Sequence, residues 1–76
     1  MLFAITYNVY GVPFRYETEN VYDLFNAVTA VIRANKLMYP DQDQMMNEYF
    51  TICADIAKGK IINHENHIFK VERLGK

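Results

Sequence analysis

Residues 2–17 read LFAITYNVYGVPFRYE, and their pattern decides the fold. Large apolar side chains at Phe3, Ile5 and Tyr7 alternate with smaller or polar ones, which is the period of two expected of a half-buried strand. The β-branched and aromatic residues suit that conformation, and Gly11 can adopt a positive φ in a turn. The stretch therefore predicts an antiparallel hairpin with strands at residues 2–10 and 14–17.

A second hairpin pattern lies near the other end of the chain. Residues 60–62 and 68–72 are rich in isoleucine, valine and phenylalanine, and they flank the polar stretch NHENH at 63–67. Asparagine and histidine tolerate the backbone angles that turns require. We therefore interpret residues 63–67 as the loop between two antiparallel strands.

Between the hairpins, apolar residues recur at spacings of three and four, which predicts two amphipathic helices. The first is expected to begin after Asn20, a good N-cap, with Thr18 as the alternative cap. The second is expected to begin after Asp41, which resembles the start of a capping box with Gln44. It should end near Gly59, where a left-handed C-cap fits.

The element order ββααββ predicts one small α+β domain over residues 1–76. Two hairpins that pair through their edges would form a four-stranded antiparallel sheet with two helices packed on one face. Hairpins that pair between two copies of the chain would give the same periodicities. The opposite face of the sheet should show Thr6, Arg15, Lys70 and Glu72. The expected core consists of Phe3, Ile5, Phe14, Leu24, Phe25, Val28, Ile32, Tyr49, Ile52, Ile56, Phe69 and Val71.

Composition restricts the classes of function. No apolar run approaches the roughly 20 residues that span a bilayer, so no membrane association is expected. The amino terminus lacks the basic segment and cleavage site of a signal peptide. The single cysteine, Cys53, lies in an apolar helical stripe, which indicates a reducing, cytoplasmic environment. Many Asn, Ile, Lys and Tyr residues with little Arg favour a bacterial or phage source with AT-rich codons.

The chain offers few residues for catalysis or metal binding. His64, Glu65 and His67 could together hold a divalent ion, but a structural zinc site needs four ligands and no cysteine pair completes one. Cys53 with either histidine is the one nucleophile–base pair, and an apolar stripe is the wrong setting for a reactive thiolate. Serine is absent. We therefore expect no enzymatic activity, no metal and no cofactor.

The aromatic and methionine residues indicate a protein-interaction or regulatory module. Tyrosine combines a large apolar ring with a polar tip, and methionine adapts to irregular partner surfaces. A chain of 76 residues also gains much from a second buried face, so a homodimer is expected. The predicted interface residues are Tyr10, Tyr22, Met38, Tyr39, Met45 and Met46.

The charge distribution supports an alternative function. Residues 58–76 carry five basic and two acidic side chains, whereas the first 57 residues carry three basic and seven acidic side chains. A basic carboxy-terminal hairpin could contact phosphates, as in a nucleic-acid-associated accessory protein. The residues predicted to make those contacts are Lys58, Lys60, Lys70, Arg73 and Lys76.

Overall fold

A computed structural model of the chain describes residues 1–9 and 11–75. It contains one four-stranded antiparallel sheet and two helices, in the order ββααββ, which confirms the predicted α+β fold. The strands lie side by side in the order β2-β1-β4-β3, so the two hairpins join through β1 and β4. The elements are β1 (Leu2–Val9), β2 (Val12–Thr18), α1 (Val21–Ala34), α2 (Gln42–Ala57), β3 (Asn63–Glu65) and β4 (Phe69–Leu74).

The core lies between the sheet and the helices. In the register of the sheet, Ile5 of β1 lies between Tyr16 of β2 and Val71 of β4. α1 packs over the β1–β2 hairpin, and α2 packs over β4. The buried cluster consists of Phe3, Ile5, Leu24, Val28, Val31, Ile32, Tyr49, Cys53, Ile56, Phe69 and Val71.

Both helix starts have side-chain caps. Asn20 Oδ1 accepts a hydrogen bond of 2.8 Å from the N–H of Tyr22, and Asp41 Oδ1 accepts one of 3.1 Å from the N–H of Gln44. Asn20 is therefore the cap of α1, and the alternative Thr18 instead accepts from the N–H of Asn20. Within the described residues, neither helix is long and apolar enough to cross a membrane.

Both hairpins differ from their predicted boundaries. In the first, Val12 and Pro13 belong to β2 instead of the turn, and in the second a whole strand is displaced. Strand β3 occupies Asn63–Glu65, inside the stretch that we interpreted as loop, and residues 60–62 precede it. Asn66 makes the shift possible because its side-chain Oδ1 accepts hydrogen bonds from the N–H groups of Ile68 and Phe69. Its own N–H donates to Phe69 O, which closes a tighter turn than a five-residue loop would form. The hydrogen bonds made by the Asn66 side chain therefore decided the position of the turn, in spite of the strand propensity of residues 60–62.

Phe14 is not part of the core, contrary to expectation. It lies on β2, at the edge of the sheet, and 48% of its surface is exposed. Its ring stacks on Tyr7 with centroids 5.9 Å apart instead of packing under a helix. The expected core residues Phe25 and Ile52 are half-buried and pack against the core. The two helices are too few to cover all four strands.

The sheet face away from the helices carries the four predicted polar residues together with the apolar Ala4 and Leu74. Arg15 Nε lies 2.7 Å from Glu17 Oε2 on the same strand, and Arg15 Nη1 lies 3.6 Å from Glu72 Oε2 on β4. The register places Thr6 between Arg15 and Lys70. The Arg15–Glu17 pair is exposed on both sides, and ion pairs of this kind contribute little stability.

Candidate functional site

An open groove runs between α1 and the first hairpin. It encloses about 820 Å³ and is lined on the sheet side by Tyr7 and Tyr16. On the helix side it is lined by Ala27, Ala30 and Ala34, which are three and four residues apart and therefore share one face of α1. The short methyl side chains leave the space open. We call this cavity the α1–β2 groove.

The apolar surface continues from this groove along β2. Phe14 and Tyr16 are 48% and 44% exposed, and Val12 beside them is also exposed. Residues two apart on a strand point to the same face, so the three side chains form one row on the side of the sheet that carries the helices. We call this row of Val12, Phe14 and Tyr16 the β2 apolar row. A contiguous exposed patch next to a groove is typical of a site that binds another molecule.

The backbone of β2 is also available for binding. It is one of the two edge strands and is seven residues long, whereas the other edge strand, β3, has three residues. A long edge strand presents unpaired N–H and C=O groups along its outer side. The α1–β2 groove, the β2 apolar row and this free edge therefore lie together.

The hydrogen-bond pattern of the sheet identifies which β2 groups point outward. Val9 and Val12 form the closing pair of the first hairpin, and the closing pair of so tight a hairpin exchanges backbone hydrogen bonds. Bonded and non-bonded pairs alternate, so the even-numbered residues of β2 bond to β1. The N–H and C=O groups of Arg15 and Glu17 consequently point away from the sheet. Pro13 has the same orientation, and its missing N–H therefore costs the sheet no hydrogen bond.

Two backbone hydrogen bonds at the far side of the sheet agree with this assignment. Arg73 N–H donates to Ile62 O at 2.8 Å, and Asn66 N–H donates to Phe69 O at 3.0 Å. The odd-numbered residues of β4 therefore bond toward β3, and its even-numbered residues bond to β1. By the same alternation, the odd-numbered residues of β1 bond to the even-numbered residues of β2.

The structure brings some of the predicted interface residues together. Met38, Tyr39 and Met45 line a smaller cleft of about 280 Å³ between α2 and the second hairpin. Tyr39 and Met45 also pack against the core, as does Met46. Tyr22 is 73% exposed at the start of α1 and lines neither cavity. The remaining predicted residue, Tyr10, lies outside the described residues.

A hydrogen-bonded cluster forms one wall of that smaller cleft. Asn66 Nδ2 donates to the Tyr49 hydroxyl at 2.6 Å, and this hydroxyl lies 3.2 Å from His64 Nδ1. Burial raises the pKa of the Tyr49 phenol to about 12, so the hydroxyl keeps its proton at neutral pH. This arrangement fixes the second hairpin on α2.

The residues considered for metal binding or catalysis are His64, Glu65, His67 and Cys53. No group of three or more His, Cys, Asp or Glu side chains in residues 1–9 and 11–75 is placed to hold a metal ion. His64 is engaged with Tyr49, and His67 lines the same cleft. Cys53 is buried, and burial raises the pKa of its thiol to about 11, which keeps it unreactive at neutral pH.

The buried Cys53 and Tyr49 predict a loss of stability at alkaline pH. Their ordinary pKa values are 9.0 and 10.0, and in the fold they rise to about 11 and about 12. The folded state therefore holds protons that the unfolded state has released. The free energy of unfolding should fall from about pH 9 upward, by about 3 kcal/mol for each group, when measured by urea unfolding across pH.

A cysteine variant tests that assignment. In Cys53→Ala the thiol no longer titrates, so the decline in the free energy of unfolding should begin about one pH unit later, with Tyr49 and with Tyr39, whose pKa burial also raises. An identical pH profile in the variant and the original chain would contradict the assignment to Cys53.

The predicted nucleic-acid contacts are divided between two regions. Arg73 Nη1 lies 2.9 Å from the position that a Cβ would take on Gly59, so this guanidinium is next to the end of α2. Gly59 is flanked in sequence by Lys58 and Lys60. Cations there interact favourably with the helix dipole. Lys70 lies on the opposite sheet face, because neighbouring odd and even residues of β4 alternate. Lys76 lies outside the described residues.

The α1–β2 groove was missed at the level of sequence. Phe14 and Tyr16 alternate as core residues do, and this alternation by itself does not mark their strand as an edge. Pro13 was the available signal, since proline in a sheet is confined to edges, strand starts and bulges. Comparison with family models, with curated proteins and with solved structures found no match for this chain.

Proposed function

We propose that this chain is a small, non-enzymatic protein-interaction module that binds an extended polypeptide along β2. The observation that carries the proposal is the coincidence of a free strand edge with the exposed β2 apolar row and the α1–β2 groove. In recognition by strand addition, main-chain hydrogen bonds supply affinity and pockets for alternate side chains supply specificity. β2 offers both.

The chemistry of the groove supports a polypeptide over a reactive substrate. Its lining combines two tyrosine rings, three alanines and a valine with three asparagines, and Asp23 is the one charged residue among the described residues that line it. Such a surface can bury apolar side chains, but it places no acid–base pair or nucleophile next to a bound group. The buried thiol of Cys53 also supports a reducing, cytoplasmic location.

Site-specific photo-crosslinking tests this function. A photoreactive phenylalanine analogue at position 14 should form covalent adducts with a polypeptide when the protein is irradiated in lysate of its source cell. The same analogue at Leu37 is the matched control, because Leu37 is 98% exposed on the connector between the helices and is not one of the residues that line the α1–β2 groove.

The outcome of this comparison decides the proposal. Adducts at position 14, with few or none at position 37, would support binding along β2. Equal labelling at both positions, or no adduct at position 14, would overturn it. An adduct with a second copy of the chain counts as binding, since a second copy is itself a polypeptide.

A further inference from the structure

We infer that the strand added to β2 is β2 of a second copy, antiparallel and in the register that places Tyr16 opposite Tyr16 of the second copy. This inference rests on the proposed function and specifies its partner. It yields a two-fold dimer with one continuous eight-stranded sheet. Three features of β2 carry it: the outward backbone groups, the position of Pro13, and the alternating charges of Arg15 and Glu17.

The outward backbone groups restrict the registers that are available. A hydrogen-bonded pair across the new edge must join two residues whose N–H and C=O groups both point outward. Only odd-numbered residues of β2 meet this condition. With Tyr16 opposite its counterpart, Arg15 faces Glu17 of the second copy and Glu17 faces Arg15. Both pairs can exchange two hydrogen bonds, so the dimer gains four.

Charge and proline distinguish this register from its neighbours. In the register shifted by one position toward the amino terminus, Arg15 lies opposite Arg15 of the second copy. Pro13, which lacks an N–H, then lies opposite Glu17 of the second copy. A shift the other way sets Glu17 opposite Glu17. Like charges directly opposite each other destabilise a strand pair, whereas opposite charges stabilise it. The Tyr16-centred register alone pairs opposite charges and leaves the missing donor of Pro13 outside the bonded pairs.

The charges on β2 do not protect this edge from pairing. Edge strands commonly avoid association through lysines or inward-pointing charges. Arg15 and Glu17 instead have opposite signs, lie two residues apart, and already contact each other at 2.7 Å. In the inferred register the four side chains of two copies form an alternating cluster on the polar sheet face. The pattern therefore selects one register and disfavours the others.

The same dimer covers the β2 apolar row. A two-fold axis that relates antiparallel strands within one sheet is perpendicular to the sheet, so the helices of both copies lie on the same side. The exposed rings of Phe14 and Tyr16 from the two copies then fill the space between the two α1 helices. The alanine-lined wall of each α1–β2 groove faces this shared apolar cluster. Burial of these rings from both copies is the main driving force.

An engineered disulfide tests the register. Residues in a non-hydrogen-bonded antiparallel pair have Cα atoms about 4.5 Å apart, within the range that a disulfide spans. Tyr16→Cys should therefore form a covalent dimer under mild oxidation. Phe14→Cys is the matched control on the same face, because two copies of residue 14 would lie about 13 Å apart along the strands. The buried Cys53 should not compete in either variant.

A charge exchange provides the second test and does not depend on oxidation. Arg15→Glu places glutamates opposite each other, and Glu17→Arg places arginines opposite each other, so each variant alone should bind itself at least about 100-fold more weakly. When the two variants are mixed, the introduced glutamate of one chain would face the introduced arginine of the other, and the heterodimer should recover. Lys70→Glu is the control, because it makes the same change in net charge as Arg15→Glu but away from the edge.

Light scattering coupled to size exclusion reads out the original chain and the charge variants, and denaturing gel electrophoresis without reductant reads out the disulfides. A dimer of the original chain, a disulfide specific to Tyr16→Cys and recovery in the mixture would support the inference. A monomer at every concentration would overturn it, and so would a disulfide that forms as readily in Phe14→Cys. Photo-crosslinking at position 14 separates this failure from failure of the proposed function: an adduct with a different polypeptide would reject the second copy and retain binding along β2.

Discussion

Ile5→Ala should unfold a large fraction of the protein at temperatures where the original chain is folded. Ile5 is completely buried on β1, the strand that pairs with both β2 and β4. Removing three buried carbon atoms from such a site costs about 2–5 kcal/mol, through lost burial and the cavity left behind. A domain of this size has roughly 4–11 kcal/mol of total stability, so this one change removes much of it.

The matched control is Ile62→Ala, which makes the same chemical change at a side chain that is 69% exposed. The free energy of unfolding should change by no more than about 0.5 kcal/mol in this variant, because its side chain buries little surface. Urea unfolding followed by circular dichroism measures both values. Equal effects at positions 5 and 62 would contradict the packing described for β1.

Tyr49→Phe should lower the free energy of unfolding by about 1–3 kcal/mol. The ring would remain packed on Phe69, with centroids 4.8 Å apart, so little burial is lost. The hydroxyl, however, accepts from Asn66 Nδ2 and faces His64 Nδ1, and its removal leaves both groups without that partner. A part-buried polar group deprived of its hydrogen bond costs more than an average hydrogen bond contributes.

Tyr22→Phe is the control for the loss of a hydroxyl, because Tyr22 is 73% exposed and should change stability by less than about 0.5 kcal/mol. Hydrogen exchange adds a local measurement. The N–H groups of Ile68 and Phe69 donate to Asn66 Oδ1, so Tyr49→Phe should accelerate their exchange relative to the core of α1. Unchanged exchange there would show that the hydroxyl does not hold the turn.

The cluster of Tyr49, His64 and Asn66 could not be assigned from the sequence. These residues lie up to 17 positions apart, and each had a sufficient local explanation, as an apolar helix position or as part of a polar loop. Only the packing of α2 over β4 brings the phenol to the turn. The same turn explains why β3 lies at Asn63–Glu65 and not at the predicted residues 60–62. In this turn Asn66 Oδ1 accepts hydrogen bonds from two backbone N–H groups.

The binding surface predicted from the sequence differs from the one found in the structure for a similar reason. Residue type indicated tyrosines and methionines outside the predicted core, and three of these, Met38, Tyr39 and Met45, do meet in one cleft. Residue type could not indicate that Phe14 and Tyr16 are exposed, because their alternation is the same as that of core residues on β1. Exposure depends on which strand the helices leave uncovered.

The sequence by itself determined the number of elements, their order and the starts of both helices. Periods of two and of 3.6 residues, and caps at Asn20 and Asp41, depend on interactions between near neighbours along the chain. Tertiary structure alone decided the strand order β2-β1-β4-β3, and with it the exposure of the β2 apolar row and the outward direction of the Arg15 and Glu17 backbone. The physical reason is that burial and edge position depend on residues distant in sequence, whereas periodicity and capping do not.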